Sequence, residues 1–109
     1  MDRRPLRVQK LVREELSKII LRELEFNEAL VTITEVVVDK KLGMARVKVS
    51  VLPADAAERV LKILGKNTGR LQYLLTRKIN IKPMPRIRFE IDRGPENAAA
   101  VERALLSDK

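Results

Sequence analysis

Apolar residues recur at Val8, Leu11, Val12, Leu16, Ile19, Ile20 and Leu24, the one-sided stripe of an amphipathic helix over residues 5–24. Pro5 suits its first turn. The outer side carries Arg7, Lys10, Glu14 and Lys18, with Glu14 and Lys18 in the favourable i,i+4 order. Residues 30–38 change character: Leu-Val-Thr-Ile-Thr-Glu-Val-Val-Val is β-branched and reads as a strand. Its alternation slips near Glu35, because Val31 and Ile33 share one parity and Val36 and Val38 the other. One extra residue in the strand, a β-bulge, accounts for that slip. Asp39-Lys40-Lys41-Leu42-Gly43 is turn chemistry, and residues 45–51 then alternate cleanly, with Val47, Val49 and Val51 inward and Arg46, Lys48 and Ser50 outward. The two segments predict an antiparallel hairpin with one wet face.

Pro53 closes the hairpin. Ala57, Val60, Leu61 and Leu64 share one face of a helix over 54–64, and Leu71, Leu74 and Leu75 one face of a second over 69–79. A third alternating strand follows over 86–92, with Ile87, Phe89 and Ile91 inward. The order is α-β-β-α-α-β. It predicts an α+β domain, a three-stranded sheet with helices on one face and the other face open. The 109 residues hold one core. Residues 1–94 read as the domain, and 95–109 as a short helix or tail.

Between the two helices lies Gly65-Lys66-Asn67-Thr68-Gly69, although the apolar phase runs on through it. Two glycines in a helical pattern predict a kink. Such a break frees the first amides of the second helix as an anion site, flanked by Lys66 and Arg70, with Asn67 or Thr68 as its cap. A tight turn between packed helices is the plainer account of the same glycines. A nucleotide-binding P-loop does not fit, since Val60 stands where its first glycine belongs and Asn67 where Ser or Thr belongs.

Charge gives the break its meaning. The net charge is +8, and between Arg59 and Arg88 there is no Asp or Glu. That stretch carries nine cations, including Arg59, Lys62, Lys66, Arg70, Arg77 and Lys78, then Lys82, Arg86 and Arg88. A second cluster is Arg3, Arg4, Arg7, Lys10 and Arg13. Such segregation marks a polyanion binder. Only three aromatic residues, Phe26, Tyr73 and Phe89, leave little for base stacking. Tyr73 reads as a half-buried core residue with a wet hydroxyl. With no Cys or His, zinc sites, disulfides and His-dependent nucleophile pairs are excluded. No spacing gathers carboxylates into an acid–base or metal pair inside the basic segment, so the chain reads as a binder without cofactor or metal and not as an enzyme. With neither an apolar leader nor a run of spanning length, the expected location is the cytoplasm.

Four segments in order resemble the bacterial ribosome-binding factor A family: Arg7-Val8 with Glu15-Leu16-Ser17; Val31-Thr32-Ile33-Thr34-Glu35-Val36; Ala45 to Leu52; and Pro85-Arg86-Ile87-Arg88-Phe89 followed by Asp92. The resemblance spans roughly residues 4–106 and implies a type II KH-like fold. In that family an Ala-x-Gly interhelical kink replaces the Gly-x-x-Gly loop of KH domains; here Asn67-Thr68-Gly69 stands in that place, with Asn67 for the alanine. The family's Asp-Pro-Arg segment between helix and strand is replaced by Phe26-Asn27-Glu28-Ala29. The resemblance implies a non-enzymatic factor that binds the free or immature small (30S) ribosomal subunit near its neck. It contacts the 16S rRNA and supports late maturation and processing of the RNA's 5′ end. The family is associated with growth in the cold, leaves before subunit joining, and is released with a ribosome-associated GTPase.

On this reading Lys66, Asn67, Thr68, Gly69 and Arg70 contact RNA at the kink. Arg77, Lys78, Lys82, Arg86 and Arg88 extend the patch, and Arg3, Arg4, Arg7 and Lys10 form a second arm. Recognition of backbone and shape is expected over base sequence, by a monomer. The alternatives are a single-strand RNA-binding KH module and a protein-interaction domain using Arg46, Lys48, Arg88 and Glu90 on the open sheet face.

Overall fold

The computed structural model describes residues 4–94. Arg3 and the expectation for residues 95–109 lie outside them. The elements are helix α1 (Arg4–Glu23), strands β1 (Leu30–Val38) and β2 (Met44–Leu52), a 3-10 turn (Ala54–Ala56), helix α2 (Ala57–Lys78) and strand β3 (Arg86–Ile91). The expected α-β-β-α-α-β order holds, with the 3-10 turn and α2 filling the two successive helical places.

The position of the helical break is different. It falls at Ala56–Ala57, next to Pro53, and α2 continues through Gly65–Gly69 as one 22-residue helix. The unbroken apolar phase decides this. Val60, Leu64, Leu71 and Leu75 are fully buried along a single line, and a break would pull one half of that line off the sheet. Leu burial is worth roughly 1.5–3 kcal/mol per side chain, against about 1 kcal/mol lost at each glycine. Asn67 and Thr68 do not cap a helix. The Asn67 amide donates to the Ile63 carbonyl at 2.7 Å, and the Thr68 hydroxyl to the Leu64 carbonyl at 2.8 Å. Both are back-bonds within a continuous helix.

The sheet order is β1-β2-β3, with β2 central. β1 and β2 are antiparallel; β2 and β3 are parallel, joined by the crossover through α2. The expected bulge is present. Ile33 stands opposite Val49 and Glu35 opposite Lys48, leaving Thr34 as the extra residue. That residue lets Ile33, Val36 and Val38 all face the core despite their parity. The core is aliphatic apart from Phe89, and no polar or charged residue is buried among the described residues.

Each helix is tied to the sheet by a glutamine. Gln9 of α1 accepts the Val38 N–H at 3.0 Å. Gln72 of α2 accepts the Ile87 N–H at 2.7 Å and donates to the Pro85 carbonyl at 3.1 Å. In the hairpin turn the Asp39 carboxylate accepts the Gly43 N–H at 2.7 Å. There it is Leu42, not Gly43, that takes the left-handed conformation (φ 56°), because its side chain is buried. The expected Glu14–Lys18 pair is not formed; Lys18 lies 3.5 Å from Glu15.

Candidate nucleic-acid interface

Because α2 is continuous, its cations acquire a common direction. Arg59, Lys62, Lys66, Arg70, Tyr73 and Arg77 are spaced by three or four residues and all are exposed. At 1.5 Å per residue the row runs roughly 27 Å along the side of α2 opposite the sheet. No carboxylate lies in this row. Lys62 and Lys66 have no ion pair within 4 Å among the described residues. Gly65 and Gly69 flank them, and a Cβ at either would meet nothing within 4 Å. The helix backbone is therefore bare beside the two free lysines.

Other members of the row are partly committed to the fold. Arg59 donates to the Phe26 carbonyl at 2.7 Å and the Asn27 carbonyl at 3.3 Å, holding the α1–β1 loop, where Asn27 and Glu28 are left-handed (φ 47° and 71°). Arg70 donates to Glu23 at 2.6 Å and so fastens α2 to the end of α1. Arg77 donates to the Tyr73 hydroxyl at 3.1 Å, its guanidinium carbon 5.8 Å from the ring centroid. Tyr73 is 57% exposed, not half-buried in the core. Reading it as a core residue hides its place in the cationic row, between Arg70 and Arg77.

The sequence-predicted residues thus divide. Lys66, Gly69, Arg70 and Arg77 share the outer side of α2, with Lys78 exposed at its end and Lys82 in the following loop. Asn67 and Thr68 turn toward the sheet and are partly buried. The free amides of a second helix start are absent at 65–69, so the anion site expected there is replaced by a side-chain row. Arg86 and Arg88 lie on β3 with exposed side chains on the open sheet face, away from α2. Arg4, Arg7 and Lys10 are exposed on α1, ahead of the exposed Glu14. Arg59 and Lys62 belong to the row, although a site centred on a kink leaves them out; their three- and four-residue spacing to Lys66 was the available signal.

Two ion pairs cross the open face beside the exposed Arg86 and Arg88. The Arg46 Nε–H donates to both Glu90 oxygens, at 3.0 and 3.2 Å, and Lys48 lies 3.5 Å from Glu35. The hydrogen bond from Arg46 holds the Glu90 carboxyl below its usual range and raises Arg46. Asp92 accepts from the Thr34 hydroxyl at 2.7 Å and the Gly94 N–H at 2.9 Å, and both bonds lower its pKa, the first more. This face mixes two ion pairs with Arg86 and Arg88, which have none among the described residues; the outer row of α2 has one ion pair, Arg70–Glu23, and leaves Lys62 and Lys66 without any. Among the described residues no group of His, Cys, Asp or Glu could hold a metal ion, and no helix is long and apolar enough to cross a membrane.

The sequence matches the profile of the family described as Ribosome-binding factor A over residues 4–105. It is 34% identical to Ribosome-binding factor A of Opitutus terrae over 106 residues, covering 96% of this chain and 87% of that one. Ribosome-binding factor A of Pseudomonas paraeruginosa is 34% identical over 114 residues, covering 97% and 89%. The crystal structure of ribosome-binding factor A from Thermus thermophilus has the same fold, with a TM-score of 0.69 at 22% identity, covering 83% of this chain and 98% of that one. A homology model of the Thermus thermophilus factor, fitted into an electron cryo-microscopy map of its 30S complex, has a TM-score of 0.62 at 23% identity, covering 82% and 91%.

Proposed function

This chain belongs to the ribosome-binding factor A family, and we propose that it is a ribosome-assembly factor that binds the free or immature 30S subunit through its 16S rRNA. The observation that carries this reading is the outer row of α2, with Lys62 and Lys66 unpaired beside two bare glycines. A straight row of cations on a rigid helix matches the phosphate backbone of folded RNA and reads its course, not its bases. The 30S complex of the Thermus relative supports the small subunit as the target. Support for late maturation and for processing of the RNA's 5′ end, action as a monomer, and release with a ribosome-associated GTPase complete the proposal. The single-strand alternative draws less support, because a continuous α2 lacks the exposed-amide loop with which KH domains clamp a strand.

Co-sedimentation with isolated small subunits, large subunits and joined ribosomes over a salt series tests it. Selective, salt-sensitive binding to free small subunits is expected. Lys62→Glu with Lys66→Glu should weaken it and flatten the log–log salt slope by about 1.4–1.8, two phosphate contacts' worth. Equal binding to all particles would overturn the assignment, and an unchanged slope would remove α2 from the interface.

A further inference from the structure

A second surface, on the far side of α1, has different chemistry. β1 pairs only with β2, so its other edge is open. Along that edge Gln9 covers the Val38 N–H at one end, and the Thr34 bulge interrupts the middle. The remaining stretch, Leu30–Ile33, has no Lys, Pro or other charge of the kind that shields sheet edges. The same four residues form one wall of a groove of about 410 Å³, whose opposite wall is the second half of α1 and whose floor includes Leu24 and Phe26. Two of its leucines are strongly exposed, Leu21 at 85% and Leu30 at 62%. Arg13 lies at the rim, shared with an adjoining groove, and no described carboxylate pairs with it.

We infer that this groove takes an extended, acidic–apolar peptide segment of a partner protein, added as a strand beside Leu30–Ile33. An open edge supplies backbone hydrogen bonds; the groove takes every second side chain; Arg13 takes a carboxylate. Charge selects this occupant over a second copy of the chain. Pairing two β1 edges would bring two chains of net charge +8 together with their Arg13 side chains close to the join. The inference uses none of the α2 residues and stands apart from the RNA reading.

The test is a titration of the isotope-labelled full chain with acetyl-Glu-Val-Glu-Leu-Glu-Val amide, followed by amide resonances. Shifts are expected at Leu24, Arg13 and Leu30–Ile33. A peptide N-methylated at alternate residues, which cannot pair with a strand edge, should bind at least about tenfold more weakly. Arg13→Glu and Leu21→Ser, both at exposed positions, should weaken binding while leaving the spectrum folded. Four results would overturn the inference: no shifts at millimolar peptide, shifts confined to Lys62 and Lys66, equal binding of the N-methylated peptide, or concentration-dependent broadening of β1 without peptide, which would mark self-association.

Discussion

Replacing Gly65 and Gly69 together by alanine should stabilise the protein. Both lie inside α2, neither has a positive φ, and a Cβ at either finds open space. The only large term is then backbone propensity, which favours alanine by about 0.8–1.0 kcal/mol per site. The pair should gain about 2 kcal/mol, or a rise of about 8–16 °C in Tm for a domain of this size. Guanidinium unfolding followed by far-ultraviolet circular dichroism suits a chain with no Trp and one Tyr. The midpoint should rise with an unchanged m-value. A loss of stability would refute the reasoning: it would mean that the helix breaks at 65–69 in solution and that the glycines serve a turn. Subunit binding by the same variant adds a second reading. If RNA lies against the bare backbone beside Lys62 and Lys66, the methyl groups will hold it off, and the variant will be more stable but bind more weakly.

Three further outcomes follow from single contacts. Thr34→Val removes the main cause of the low Asp92 pKa. A depressed carboxyl stabilises the fold above its unfolded pKa and loses that contribution as pH falls through the folded value, so the variant should lose most at neutral pH and little once the pH is below the lowered folded value, with a shallower acid limb in thermal melts. Glu28→Gly should raise stability by about 1 kcal/mol in denaturant titrations, because Glu28 holds a left-handed conformation that costs a non-glycine residue roughly 1–2 kcal/mol. Gln72→Leu strands the Ile87 N–H and Pro85 carbonyl in a part-buried site and should cost about 1–3 kcal/mol, with faster amide exchange at Ile87.

Local periodicity carried most of the fold. Strand β1 matches the residues read from the β-branched run, and the parity slip at Glu35 located the bulge to within one residue. Those signals are contained in a few neighbouring side chains. The parallel pairing of β3 was not legible, because nothing in Arg86–Ile91 specifies which neighbour it meets or in which direction. The kink failed for a related reason. Glycine propensity is a local term, and it was outweighed by a line of leucines whose burial depends on the whole sheet. The cations were plain in composition, but whether they form a row depends on the continuity of α2. Reading a break there separated Lys66 from Lys62 and Arg59.

Continuity also explains why part of the row serves the fold. Arg70 binds Glu23 at the end of α1, and Arg59 binds the loop that follows it. These two contacts, both from the outer side of α2, tie that helix to the end of α1 and to the loop after it, over a core in which Leu16, Leu64 and Leu71 are fully buried. The free lysines are therefore carried on a helix anchored at two of its own cations, and their spacing is set in the absence of any partner. A preformed row loses little side-chain and backbone freedom on docking but cannot adapt to a strand of different course. On the proposed RNA-binding reading, selectivity for a folded RNA surface would arise from this rigidity, and charge reversal at the anchored Arg70 would disturb helix packing as well as binding. Lys62 and Lys66 separate the two effects, because neither holds any described part of the fold in place.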